Sequence, residues 1–430
     1  MTEELAAMQP FRAWARFRDG KLSELLTRQR LTVYILPAFF FALTFSVYWL
    51  LGPRDTIFIN HVSQANNFLH GRLDLLPELS GYITEPALKD GKMFLQHPPG
   101  PALILLPGVA LVGLSLNQTL VSVILASMTG TLVYRIVRTQ IENIPAQIWL
   151  TVFFLFGTIF WFVGANGGVW FFSHTATLLF LFFAVYATLV LKSPFLAGVG
   201  LGAAFLCRNS AAMTLPFFLV MFSDRWFTPL RDHLKAWRGG DVSVASLTAG
   251  LRHLEPVVQI ALGTAPFVLF SFWFNFARFD NPLESGYFYG EQVHQEHLQW
   301  LYNRGVFHIT YIPRHIPVLF EQLPVMIQQA PYIRPSWAGL AIWTTSPAFV
   351  YALYPGVRDR RLIAASAAAL GAMVFLIVSR GAARGWGLWG WWGDLQFPLG
   401  FHLLPIWTMI GVAVYTGIKM RDRLVIACWA

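Results

Sequence analysis

The chain has little charge. Asp, Glu, Lys and Arg make up 12% of its 430 residues, about half the roughly one-quarter share of an ordinary soluble domain. So few charges cannot keep every face in water, which excludes a soluble globular enzyme. Cysteine is scarcer still. Cys207 lies in an apolar stretch and Cys428 stands close to the end of the sequence, so neither a disulfide framework nor a metal-ligand spacing is present. Internal repeats and low-complexity segments are also missing, which argues against an inverted-repeat transporter.

What is abundant is apolar surface: 56% of the residues are hydrophobic and 16% aromatic. At about 20 apolar residues per crossing, the sequence supplies around ten membrane spans. Eight runs are clear: 31–52, 117–137, 146–165, 169–191, 256–277, 337–355, 361–379 and 396–418. The stretch from Pro98 to Leu116 is apolar enough to cross, but a crossing there would put Arg135 and Arg138 outside. A helix lying at the outer interface keeps both inside. The stretch from Pro194 to Phe222 is interrupted by Arg208 and Asn209. Two short helices turning outward at Arg208 place the next loop, with its five basic residues, in the cytoplasm.

The expected fold is therefore an all-α polytopic membrane protein of about ten transmembrane helices, with interfacial helices in the first outer loop. The net charge of +9 would suggest a nucleic-acid partner in a soluble chain, but here Lys and Arg report orientation. With both termini cytoplasmic, 20 of the 31 Lys and Arg residues fall inside and 11 outside. No nucleic-acid partner is expected. Residues 1–30 carry basic side chains and no apolar core, and Phe11 to Leu31 reads as an amphipathic helix on the inner leaflet. Residues 31–430 form the membrane domain, with a first outer loop at 53–116, a cytoplasmic loop at 223–255 and a second large outer loop at 278–336.

Ionisable groups at the bilayer's edge are costly and mark candidate function. Asp55 follows Arg54 directly after the first span, where a carboxylate can act as a general base or merely end the helix in a pair with Arg54. Farther on come His70-Gly71-Arg72-Leu73-Asp74-Leu75 and Gln96-His97-Pro98-Pro99-Gly100. Paired prolines can start a helix ahead of them, placing His97 at its N-terminus. The stretch Gly164-Ala165-Asn166-Gly167-Gly168-Val169-Trp170-Phe171-Phe172-Ser173-His174 forms a tight outer turn, with His174 one turn into the next helix, where a lone histidine is more often a packing partner than a catalyst.

These residues resemble the C superfamily of integral membrane glycosyltransferases that use lipid-linked sugars, especially the protein O-mannosyltransferase and lipid A aminoarabinose transferase branch. The likeness rests on an acidic residue just after the first helix (Asp55), the Gly71-Arg72-Leu73-Asp74 stretch, and His97-Pro98-Pro99 opening an interfacial helix. It continues in the turn before His174, in Ala204-Phe205-Leu206-Cys207-Arg208, and in Arg278-Phe279-Asp280-Asn281-Pro282-Leu283-Glu284-Ser285-Gly286-Tyr287. It covers roughly residues 31–290. Many relatives carry adjacent acidic residues after helix one, and larger ones a soluble outer domain; this sequence has Arg54-Asp55-Thr56 and stops soon after the last span.

The resemblance implies an inverting, multi-pass transferase of the cell (inner) membrane that moves a sugar from a polyprenyl-phosphate carrier to an extracytoplasmic acceptor. Asp55 is the candidate base. Arg208, Arg380 and Arg384 are candidate phosphate ligands, and Arg54, Asp74, His97, His174 and Asp394 candidate lining. The segment Trp386 to Trp392 reads as a sugar-stacking wall or an interfacial aromatic belt. A divalent metal is compatible with such chemistry, but no Asp-x-Asp motif supports it in the outer loops, and no cofactor is assigned. The expected partners are a polyprenyl-phosphate sugar and membrane lipids. Two other classes fit the spans: a lipid or solute transporter, and a non-catalytic accessory subunit of a larger membrane complex.

Overall fold

Several helix starts in this chain are set by side chains that meet otherwise unpaired backbone N–H groups. The computed structural model describes residues 29–76, 82–238, 250–290, 322–336 and 339–346, with a few isolated positions besides. Asn117 accepts from the Leu120 N–H at 2.8 Å and opens a helix at Gln118. Asn143 and Ser193 cap in the same way, and each is followed within two residues by a proline, whose missing N–H is no loss in a first turn.

In chain order the helices are α1 (Leu31–Leu51), α2 (Asn60–Leu69), α3 (Gly100–Val112), α4 (Gln118–Gln140), α5 (Ile144–Phe156) and α6 (Phe160–Ala165). They continue as α7 (Val169–Leu189), α8 (Pro194–Cys207), α9 (Leu215–Met221), α10 (Ser223–Arg238), α11 (Glu255–Phe279) and α12 (Ile342–Thr345). Among the described residues four, α1, α4, α7 and α11, are long and apolar enough to cross a membrane. At 1.5 Å per residue, the 21 residues of α1 or α7 reach about 31 Å, close to the thickness of a bilayer's hydrocarbon.

The chain is mostly helical, but two antiparallel strand pairs depart from the all-α expectation. β1 (Pro86–Lys89) pairs with β2 (Lys92–Leu95) in the register Pro86↔Leu95 to Lys89↔Lys92. The shorter β3 (Val325–Met326) pairs with β4 (Ile333–Arg334). The first hairpin turns at Asp90 and Gly91, both at positive φ. Its strands are too short and too charged to stand out against apolar runs in the sequence.

The expected single span at 146–165 is instead two helices, α5 and α6, parted at Gly157. The thirteen residues of α5 extend only about 20 Å. The stretch from Pro194 to Phe222 breaks at Arg208 into α8, a 3₁₀ turn (Asn209–Thr214) and α9. Pro98-Pro99 leads directly into α3, which begins at Gly100. The segment 1–28, the run 361–379, the run 396–418 apart from Gly411 and Tyr415, most of 337–355, and Arg380, Arg384, Trp386 to Trp392 and Asp394 lie outside the described residues.

Three apolar cores join the helices. Phe40, Tyr48, Val123, Tyr134 and Leu155 lock α1, α4 and α5, with the Tyr48 hydroxyl donating to Leu155 O at 2.6 Å. Val62 and Ala65 of α2 pack with Ala102, Leu105, Phe172 and Cys207. Ala184, Ala197, Leu201, Phe218 and Ile260 tie α7, α8, α9 and α11 together. α8 and α11 approach backbone to backbone: a Cβ on Gly198 would stand 2.2 Å from Ile260 O, so the crossing depends on the small residue.

Candidate functional site

Four segments converge at the end of α8. The first is α2, whose sequence Asn-His-Val-Ser-Gln-Ala-Asn-Asn is polar although Asn60, His61, Ser63, Gln64 and Asn67 are buried. Asn60 exchanges hydrogen bonds with the Thr84 backbone, and Asn67 donates to Asp74 O. The second is the β1–β2 hairpin, which runs straight into Gln96 and His97. The third is the opening of α7, which supplies Ser173. The fourth is the turn after α11, where Gly286 at φ +102° brings in Tyr287.

Close backbone contact sets the meeting point. A Cβ on Gly100 would lie 2.5 Å from Leu206 O and 2.8 Å from Cys207 N. Only glycine lets the start of α3 rest on the last turn of α8, with His97-Pro98 against Arg208. The hairpin is held by α11: Arg278 donates to Leu95 O at 2.5 Å, Lys89 pairs with Asp280, and the Phe94 and Phe279 rings meet edge-on.

The result is a recess of about 80 Å³ lined by His97, Pro98, Ser173, Cys207, Arg208, Asn209, Ser210 and Tyr287. That is room for a few waters or one tetrahedral oxyanion, and far below the roughly 300 Å³ or more of a site enclosing a larger ligand. Arg208 is half-buried and follows α8 in an extended conformation; its backbone N–H donates to Ala204 O, but its guanidinium has no hydrogen bond or ion pair to any described residue. Among the described residues, no carboxylate lines the recess.

Two imidazoles meet there, His97 in the lining and His61 packed against it. His61 is fully buried and His97 3% exposed, with their rings edge-on at 5.5 Å between centroids. His61 Nε2 lies 3.1 Å from Val169 O and 3.0 Å from Ser173 Oγ. A carbonyl only accepts, so Nε2 carries the proton and His61 Nδ1 is a bare lone pair in the neutral ring. The Ser173 hydroxyl donates to the same carbonyl. Among the described residues, the buried Nδ1 atoms of His61 and His97 and the Asn209 Oδ1 have no partner. Burial pushes His61 down to about 4 and His97 well below its ordinary value, with neighbouring cationic Arg208 acting in the same direction. Both rings are neutral at pH 7.

Of the sequence-expected residues, the structure brings His97 and Arg208 together. Asp55 lies on an exposed loop and accepts the adjacent Thr56 N–H at 2.7 Å; it does not line the recess, nor does Arg54, whose carbonyl accepts from Asn117 Nδ2. The two form no ion pair with each other among the described contacts. Asp74 pairs with Arg72 at 2.8 Å, which holds its carboxyl below the usual range. His174 is exposed on α7 and does not line the recess, although Arg208 is near enough to act on it electrostatically, while its neighbour Ser173 is buried and lines it. His61 is the residue that sequence reasoning misses, and Ser173, Asn209 and Tyr287 fall inside recognised stretches without a role of their own. For His61 the available signal is a polar segment amid apolar runs, which reads equally as a solvent-facing loop helix.

A larger apolar groove of about 590 Å³ runs between α1, α4, α7, α8 and α11, with Arg135 at its margin. It suits hydrocarbon but offers few groups for chemistry. Among the described residues, no group of three or more His, Cys, Asp or Glu is placed to hold a metal ion. The chain matches no protein-family model, no curated protein and no solved structure.

Proposed function

We propose that this chain is a multi-pass inverting glycosyltransferase of the cell membrane, which takes a sugar from a polyprenyl-phosphate carrier and passes it to an extracytoplasmic acceptor. The observation that carries the reading is Arg208: a half-buried guanidinium without an ionic partner among the described residues, beside a recess of oxyanion size that no described carboxylate lines. A charge in that setting calls for a counter-ion, and guanidinium binds phosphate through two hydrogen bonds. The resemblance of residues 31–290 to lipid-linked-sugar transferases supports the same assignment.

In this reading the acceptor hydroxyl attacks the anomeric carbon from the face opposite the phosphate. The carbon–oxygen bond to the phosphate breaks, and the carrier departs as a phosphate monoester whose new charge Arg208 offsets. Asp55, exposed beyond the end of α1, receives the hydroxyl proton. Arg380 and Arg384 would add to phosphate binding, and Arg54, Asp74, His97, His174 and Asp394 would border the substrates. Around ten spans, with both termini cytoplasmic, would put this chemistry on the outer face.

The test is turnover of a polyprenyl-phosphate sugar by the purified protein in lipid nanodiscs. Release of polyprenyl phosphate that Arg208→Ala lowers at least about tenfold is the expected result. Binding of the carrier without any sugar transfer would favour the transporter reading, and binding indifferent to Arg208 would remove the recess from the donor site.

A further inference from the structure

A phosphate monoester carries close to two negative charges above its second pKa of about 6. The recess offers one fixed positive charge, Arg208. The next guanidinium, Arg278, is committed elsewhere: it donates to Leu95 O and Asn275 Oδ1 and stacks 3.8 Å from the Phe274 ring centroid. A dianion held by Arg208 alone would leave an unbalanced charge in a poorly hydrated site, which is costly.

One lining group can supply the missing charge. Among the described residues, His97 is the only imidazole bordering the recess, and its Nδ1 is buried without a partner. His61 is less suited, because its Nε2–H is spent on Val169 O and its ring stands behind His97. The other groups facing His97 are Arg208 and Arg278, which repel a proton while the recess is empty. Cys207 and Tyr287, across the recess, can only lose protons. A bound phosphate reverses the balance at His97.

We infer that the recess takes up a phosphate group together with one proton, and that His97 carries that proton. His97 is then a second, switchable cation of the site, present only while phosphate is bound. The inference rests on the assignment of Arg208 as the phosphate ligand and extends it to the protonation of the neighbouring ring. The donor's diester carries one charge, which Arg208 balances; once transfer leaves a monoester, the proton on His97 holds the dianion, and loss of that proton to the medium weakens its hold and assists release of the product.

The experiment is isothermal titration of the full chain in detergent, with farnesyl phosphate in one arm and inorganic phosphate in the other. Buffers of different ionisation enthalpy report protons taken up. We expect close to one proton per bound phosphate at about pH 7.5, an affinity that falls nearly tenfold per pH unit between about pH 7 and 8.5, and loss of both effects in His97→Gln. Equal proton uptake by the two ligands supports the inference for any phosphate group, and uptake confined to farnesyl phosphate supports it for the lipid-borne group alone. Arg208-dependent binding without proton uptake in the unsubstituted protein overturns the inference and leaves the phosphate site standing. Uptake that persists in His97→Gln also overturns it. Binding unaffected by Arg208→Ala overturns the phosphate site and the inference together.

Discussion

Arg278, in the last turn of α11, donates to the carbonyl of Leu95, two residues before His97. The two residues are 183 positions apart in sequence, so this one contact ties the placement of the recess to a helix laid down much later in the chain. The guanidinium also stacks on Phe274 and Phe279, making α11 the rigid support of the hairpin.

Arg278→Lys keeps the charge and loses the planar fork. Leaving Leu95 O without its donor should cost about 1–3 kcal/mol. The thermal midpoint of the detergent-solubilised protein should fall, and phosphate binding at Arg208 should weaken with it. An unchanged midpoint would mean that the hairpin is held by Lys89 and the aromatic contacts alone.

Asp55→Asn keeps size and removes charge on an exposed loop. Folding should be unaffected, while turnover of a polyprenyl-phosphate sugar falls by a factor of about a hundred or more, the range for losing a general base. Turnover at the unsubstituted rate would take Asp55 out of the mechanism.

The buried imidazoles make the protein acid-sensitive. Folded His61 stays unprotonated down to about pH 4, whereas the free ring binds a proton near 6.5. The unfolded chain therefore holds more protons between those values, and stability falls as pH drops through the window, by up to about 3 kcal/mol for this residue. His97 adds to the same trend. Thermal unfolding followed from about pH 7.5 down to about pH 4.5 should show the decline, and His61→Asn should flatten it. A profile level across that range would be incompatible with a neutral buried pair.

Orientation is testable at two exposed positions. Thr228 lies on α10 in the basic 223–255 loop, and Leu283 follows α11. After Cys207 and Cys428 are replaced by serine, a membrane-impermeant thiol reagent applied from outside intact cells should label Leu283→Cys and spare Thr228→Cys. Labelling of both from one side would break the proposed parity of spans.

The long helices were legible because their signal is local: α1, α4, α7 and α11 coincide with uninterrupted apolar runs. Arg208 was legible for the opposite reason, as a charge set inside such a run. The split between α5 and α6 at Gly157 was not, because Phe, Trp and Val continue on both sides and hydropathy stays high across a break in hydrogen bonding. The β1–β2 hairpin was hidden by its length, four residues per strand. The pairing of His97 with His61 depends on α2, α3 and α7 meeting in space, and no spacing along the chain encodes it. Asp55 and Arg208, which sequence reading joins in one mechanism, stand on different elements, and only Arg208 borders the recess.

The polar helix α2 carries a consequence for how the chain is built. Asn60, His61, Ser63, Gln64 and Asn67 have little reason to enter hydrocarbon, yet they end up enclosed by α3 and α7. During synthesis this segment emerges before either neighbour exists, and the Val169 carbonyl and the Ser173 hydroxyl that receive His61 come only with α7. Biogenesis thus has an obligatory late closure. A nascent chain halted before residue 169 should expose α2 to protease, and a chain halted beyond α8 should shield it.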